Sequence, residues 1–300
     1  MFSVRTDLAL EASALLSKKP DEVLEGVEVS EYQKGGAKVT RVTVSNKDGE
    51  RLIGKPIGNY ITIESASIRE STDVYDEKIR DVFSDELAKV IMPHKHDVIF
   101  VVGLGNRFIT PDSLGPEVSE GINVDGSSKS NGIRLCSISP GVLGITGIES
   151  VEIVKGVSQR LKPDIIVVID ALASRSMYRI CTTIQIADTG ITPGAGVGNR
   201  RGALNMEEMG VPVIAVGVPT VVDASTVVND SLEHIFEAFM EKDDTEGPLF
   251  DEEKRYTLIK KVLNPYFGEL IVTPSQIDCV ITKVAALISD GINELEHKLG

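Results

Sequence analysis

The sequence has no tryptophan, four histidines, three cysteines and only 5% aromatic residues in a chain of 300. Each scarcity removes a class of chemistry. So few aromatics leave little from which to build a base-stacking nucleic-acid surface, and a net charge of −14 repels phosphate backbones. Direct nucleic-acid binding is therefore not expected. Cys136, Cys181 and Cys279 are odd in number, widely spaced and free of any CxxC pair. They read as reduced core thiols in a reducing compartment. No apolar run reaches the ~18 residues of a membrane span. Met1–Leu10 carries Asp7 and no apolar stretch of the signal-peptide kind, so a cytoplasmic location is expected. Neither HExxH nor GxSxG occurs, and none of His94, His96, His234 and His297 follows an expected strand. Histidine-dependent metal or nucleophile chemistry thus lacks its usual residues.

What the chain has instead is two kinds of segment grammar. Near the N-terminus Asp7 is positioned to cap a helical run, Leu8–Leu16, that Pro20 would end. Val27–Tyr32, Lys38–Ser45 and Asn59–Glu64 are β-rich, with Lys34-Gly35-Gly36 and Asn46-Lys47-Asp48-Gly49 as turn chemistry, which predicts a small antiparallel unit. Residues 73–92 carry a helical pattern. From Asp97 onward, continuous apolar runs replace alternation: Val98–Val102, Ile165–Ile169 and Val213–Gly217. Such runs suit parallel strands buried on both faces. Helical stretches lie around 116–123, 149–161, 203–209, 224–240 and 275–297. Strand and helix in alternation predict an α/β fold with a doubly wound, mostly parallel sheet. The expected organisation is a single domain, 1–300, in which an N-terminal elaboration (1–92) packs on an α/β core (97–300). The acidic, turn-rich stretch 241–254 reads as an exposed loop.

Open α/β sheets place their sites at the carboxyl ends of the strands. Four Gly- and Pro-rich segments fall there: 103–116, 139–147, 170–175 and 217–223. With histidine set aside, carboxylates remain. Asp170 follows the run 165–169, and Asp112 lies in the loop after 98–102. If those strands are neighbours, both carboxylates open onto one crevice, where two close carboxyl groups cannot both ionise cheaply. One could then take a proton from water while the other polarises a carbonyl. The same residues admit plainer roles: Asp112 as a helix N-cap, Asp170 as an acceptor for loop amides. Asp188 and Asp223 are further candidates. The stretch Asp188–Arg201 adds four glycines and two adjacent arginines to an acidic protein, suited either to holding an acidic piece of substrate or to an ordinary loop.

At these residues the sequence resembles the spore germination protease family of endospore-forming bacteria. The likeness runs through Val4-Arg5-Thr6-Asp7-Leu8-Ala9, VVGLGN (101–106), TPDSLGP (110–116), PGVLGITGIE (140–149), IDALASRS (169–176), TTIQIADTGITPGAGVGN (182–199), VPVIAVGVPTVVDA (211–224) and VTPSQID (272–278). It implies an atypical aspartic endopeptidase, without a cofactor, that degrades small acid-soluble spore proteins at germination. It also implies a fold like that of hydrogenase maturation proteases, a homotetramer, self-activation from a precursor, and a place in the cytoplasm of the forespore and the spore core. The family's two candidate catalytic aspartates fall on Asp112 and Asp170. Only Met1, Phe2 and Ser3 precede the first block, so a minimal prosegment or a near-mature chain is expected. The Gly-rich loops would supply substrate contacts through Gly141, Gly144, Gly194, Gly196, Asn199 and Arg200. Two rival readings stand beside this one: a metal-assisted processing protease using the same aspartates, and a non-catalytic scaffold that binds spore proteins.

Overall fold

The computed structural model describes residues 6–14, 25–70, 74–124, 132–192, 202–240, 252–267 and 270–299. Its strands are β1 (Val27–Lys34), β2 (Ala37–Val44), β3 (Gly58–Glu64), β4 (Val98–Gly103), β5 (Arg134–Ile138), β6 (Ile165–Ser174), β7 (Thr183–Ala187), β8 (Val213–Asp223) and β9 (Ile271–Val272). They form one sheet in the order β1-β2-β3-β7-β8-β6-β4-β5, with β9 paired to β8. The segment β8-β6-β4-β5 is parallel throughout. The strands β7, β3, β2 and β1 continue it as an antiparallel ribbon. The α/β class and the N-terminal antiparallel unit are thus as expected. The ribbon joins the core through β7, an all-buried five-residue strand inside a stretch that sequence grammar left unassigned.

Alternation across the parallel strands explains the two-sided winding. Ile99, Val101, Ile165, Val167 and Ile169 face one apolar cluster, while Phe100, Val102, Ile166 and Val168 face another. On the first face lie helices Glu77–Ile91, Leu114–Glu120 and Ile277–Asn293, the last packed against the other two. Helix Glu77–Ile91 starts at an Asp76 cap whose carboxylate accepts from Lys78 N. It turns Ile79, Val82, Phe83, Leu87 and Ile91 inward at helical spacing. Helix Ser150–Leu161 covers the second face with Val151 and Val154. Truncating a fully buried ring such as Phe83 or Phe100 would cost about 3–5 kcal/mol in lost transfer and cavity terms.

Two strands outrun their sequence signal. β6 continues five residues past Ile169 to Ser174, and β8 continues past Gly217 to Asp223. Asp170 is therefore inside a strand, opposite Gly217, rather than in the loop after one. Pro219 is tolerated because the ladder shifts register beside it, between Leu172 and Ala173. Three further expectations need correction. Residues 252–254 belong to helix Glu252–Phe267 rather than to a loop. The N-terminal helix starts at Ala9 rather than Leu8, and its expected end at Leu16 lies outside the described residues. Of the cysteines, only Cys181 is a buried core thiol, its pKa pushed up to about 12 by burial; Cys136 is half-buried and Cys279 exposed.

Candidate active site

β4 and β6 are neighbours, with Gly103 opposite Ile169. After β4 the chain passes through helix Leu114–Glu120 to β5 on one side; after β6 it passes to β7 and β8 on the other. The carboxyl ends of β4 and β6 thus flank the point where connections diverge, where α/β sheets open a crevice. A cleft of about 660 Å³ lies there, lined by Asp112 and Asp170 together with Asp7, Lys55, Asn106 and Gln185.

The loop that carries Asp112 is folded back on itself. Gly105 sits at φ +116°, and a Cβ there would stand 2.1 Å from the carbonyl oxygen of Asp112, so only glycine lets the two limbs close. Asn106 N then donates to Asp112 Oδ2 at 2.8 Å. Asp112 ends a 3₁₀ turn, Thr110–Asp112, and the cap position of the next helix falls to Ser113. The helix-cap role is therefore not the one Asp112 plays. Asp170, half-buried on β6, accepts from the amide of Ala171 at 3.0 Å. Burial pushes its pKa well above the ordinary carboxylate range, and the charges of Asp112 and then Asp7 push it further; only the Ala171 amide works the other way.

Of the other residues singled out from sequence, Gly144 lines the cleft. Gly141, at φ +73°, stands beside it and accepts from the Ser150 hydroxyl at 2.7 Å. Gly194, Gly196, Asn199 and Arg200 lie outside the described residues. Asp188 and Asp223 are both spoken for. Asp188 accepts from Asn59 N and Nδ2 at 2.7 and 2.8 Å. Asp223 accepts from Ser225 N at 2.7 Å and pairs with Lys260 at 3.5 Å.

Two lining residues were missed. Asp7 was read as a helix cap, and Lys55 was not singled out. Both come from the N-terminal region, and nothing local in either segment announces that the sheet will bring it to β6. The donor set does not suit a transition metal, which prefers imidazole or thiolate. Among the described residues, no histidine lines the cleft, and no group of three or more His, Cys, Asp or Glu is arranged to hold a metal ion. His94 and His96 precede β4, at the opposite end of the strand.

Fold and cleft define a class: an α/β protein whose strand-end crevice is furnished with carboxyl groups, one of them disposed to keep its proton. Comparison with known proteins narrows it. A family model described as "Germination protease" matches residues 5–248 and 244–299. The germination protease of Clostridium tetani is 49% identical, over 97% of this chain and 95% of its own length. That of Clostridium acetobutylicum is 45% identical over 98% and 95%, and that of Bacillus licheniformis 38% identical over 99% and 94%. The chain belongs to the germination protease family, and is a peptidase. Among solved structures, a NiFe hydrogenase maturation protease from Thermococcus kodakarensis matches 71% of this chain and 99% of its own, at 18% identity and a TM-score of 0.39. No helix among the described residues is long and apolar enough to cross a membrane.

Proposed function

We propose that the chain is an aspartic endopeptidase that opens small acid-soluble spore proteins at germination, with Asp112 and Asp170 activating water. The observation that carries the reading is the placement of both carboxyl groups in one cleft at adjoining strand ends, with Asp170 biased toward its protonated form. That bias gives the two residues different roles. Asp112 removes a proton from water as the oxygen bonds to the scissile carbonyl carbon, and Asp170 gives its proton to the carbonyl oxygen. In the collapse, the proton on Asp112 goes to the leaving nitrogen and the C–N bond breaks. Asp170 takes back a proton from the diol as the new carbonyl forms. Both residues end as they began, and no covalent enzyme intermediate arises.

The apolar rim suits a polypeptide substrate: Ile109 is 50% exposed and Ile271 53%. An acidic enzyme of this kind recognises the spore protein rather than its DNA. The reading includes a single peptidase unit, since the antiparallel ribbon hydrogen-bonds into the sheet that carries the aspartates. It also includes a self-activating precursor, a homotetramer and a location in the forespore and spore core, as the family likeness implies.

The test is cleavage of a purified small acid-soluble spore protein by wild type, Asp112→Asn and Asp170→Asn, each with and without a chelator. Expected are roughly 10³-fold losses in kcat for both folded variants, the scale of general acid–base catalysis, and indifference to chelator. Loss on chelation alone would make the aspartates metal ligands. Near-wild-type cutting by both variants would place the site elsewhere.

A further inference from the structure

One polar group of the cleft has no part in the two-aspartate chemistry. The segment Leu104-Gly105-Asn106 bridges the two aspartates. Leu104 N donates to the carbonyl oxygen of Ile169, the residue before Asp170, at 2.8 Å, and Asn106 N donates to Asp112 Oδ2 at 2.8 Å. Helix Leu114–Glu120 backs the segment closely: a Cβ at Gly115 would stand 2.1 Å from Leu104 O, so the segment has no room to sink away from the cleft. Asn106 is half-buried and lines the cleft. One end of its carboxamide is committed. Phe108 N donates to Oδ1 at 3.0 Å. Because that donor is an N–H, the oxygen must face it, and the NH2 is the end left over. Among the described residues Nδ2 has no hydrogen-bond partner.

We propose that Asn106 is a further catalytic residue, whose Nδ2 donates a hydrogen bond to the scissile carbonyl oxygen beside the proton supplied by Asp170. The inference rests on the two-aspartate reading above. A carbonyl oxygen has two lone pairs, so it can accept from Asn106 and from Asp170 together. As the water oxygen bonds to the carbonyl carbon, negative charge grows on that oxygen. An amide donor already fixed in place stabilises this charge without reorganisation. The neutrality of the donor matters. A cation at this position would favour the ionised form of Asp170 and take its proton away, whereas a carboxamide supplies the hydrogen bond and carries no charge. The adjacent cation, Arg107, is paired with Glu120. The titratable groups that share the cleft with Asn106 are Asp112 from the loop after β4, Asp170 from β6, Tyr60 from β3, and Asp7 and Lys55; β7 and β8 present uncharged residues such as Gln185 and Thr220.

The experiment is steady-state cleavage of a small acid-soluble spore protein by wild type, Asn106→Ser and Asn106→Asp across a range of pH. Ser can still accept from Phe108 N, but it is too short to replace Nδ2 and brings no charge. Asp keeps the oxygen that faces Phe108 and puts a second oxygen where Nδ2 was. Expected in Asn106→Ser are a kcat lower by about 10²-fold and a KM within about threefold. Asn106→Asp should be at least as slow at neutral pH. Its kcat should recover relative to wild type as pH falls, because a protonated carboxyl regains a donor in that place; a side chain that only shaped the loop would show no such recovery. A folded Asn106→Ser with wild-type kcat overturns the proposal. So does a rise in KM with kcat unchanged, which would make Asn106 a contact of the bound substrate alone. Should Asn106→Ser not fold, Asn106→Asp decides: recovery in acid supports the proposal, and the same ratio to wild type at every pH overturns it. If Asp112→Asn and Asp170→Asn keep wild-type rates, the two-aspartate reading fails and this proposal falls with it. If those two are inactive while the Asn106 variants cut at the wild-type rate, this proposal alone fails.

Discussion

Two regions of the molecule each take a carboxyl group out of water and treat it oppositely. On helix Glu77–Ile91, Glu86 has a side chain 0% exposed, with Lys89 Nζ at 2.7 Å, Lys34 Nζ at 3.5 Å and Arg41 Nη2 at 3.8 Å. Burial pushes its pKa up, but hydrogen bonds from Lys89 and Tyr32 and the charges of Lys89 and Lys34 outweigh burial and hold it below the ordinary value. In the cleft, Asp170 is half-buried beside Asp112 and Asp7, and the charges of both add to the effect of burial. The difference shows that burial does not by itself decide protonation here; the sign of the neighbours does. Helix Glu77–Ile91 and the ribbon together surround the Glu86 carboxylate with cations and gain a fixed anion. The cleft sets two anions beside its carboxyl group and biases it toward the protonated form.

The sharpest way to break the comparison is on the structural side. Glu86→Gln should leave Lys34, Lys89 and Arg41 without their shared anion. Breaking a buried pair costs several kcal/mol, but these cations are a third to a half exposed and can rehydrate. The expected loss is therefore about 1–3 kcal/mol, read by chemical denaturation at pH 7, with kcat unchanged. Because the folded pKa of Glu86 is depressed, its contribution is full above the unfolded pKa and lost as pH falls through the folded one. The variant and wild type should converge in acid. Equal stability at pH 7 would mean that the cation cluster gains nothing from Glu86.

Asp170 should show the opposite sign and a smaller size. Its folded pKa is raised, so its protonated form stabilises the fold below the unfolded pKa, and that contribution is lost as pH rises through the folded one. Asp170→Asn removes the ionisation and should stabilise the protein above neutral pH by on the order of 1 kcal/mol, the usual return when a functional group is neutralised. The gain should shrink toward zero in acid. Thermal melts of the variant and wild type at several pH values check this. A destabilised Asp170→Asn at high pH would mean that the carboxylate is held by partners stronger than the Ala171 amide.

How far the site was legible depended on where its parts lie along the chain. The runs Val98–Val102 and Ile165–Ile169 are unbroken apolar segments, so their strands could be read directly, whereas their adjacency, which brings the ends near Asp112 and Asp170 together, comes from the sheet register. β7 could not. Thr183-Ile184-Gln185-Ile186-Ala187 interleaves polar and apolar residues, and all five are buried because neighbours lie on both edges. The extension of β6 past Asp170 was hidden for a similar reason. Ala171-Leu172-Ala173-Ser174 has no marked strand propensity, and it is strand because β8 and Asp7 supply hydrogen-bond partners. Asp7 sits before a helix and fits a cap pattern, and only tertiary structure shows that its carboxylate instead accepts from Ala173.

The smallest effects should come from the two aspartates that share the strand-end neighbourhood without lining the cleft. Asp223 accepts from Ser225 N at 2.7 Å, an Asn can do the same, and the Lys260 contact at 3.5 Å is a partly exposed pair of the kind worth about 0–1 kcal/mol. Asp188 receives both the amide and the side chain of Asn59, so Asp188→Asn keeps an acceptor for one and turns a second donor toward the other. Asp223→Asn should therefore change stability by under about 0.5 kcal/mol, and Asp188→Asn by about 1 kcal/mol. Both should retain kcat within about twofold. Steady-state cleavage and a denaturation midpoint for each variant measure this. A folded variant at either position that lost most of its kcat would extend the acidic machinery along β8 or β3 and dissolve the boundary drawn here between carboxylates that hold the fold and carboxylates that work.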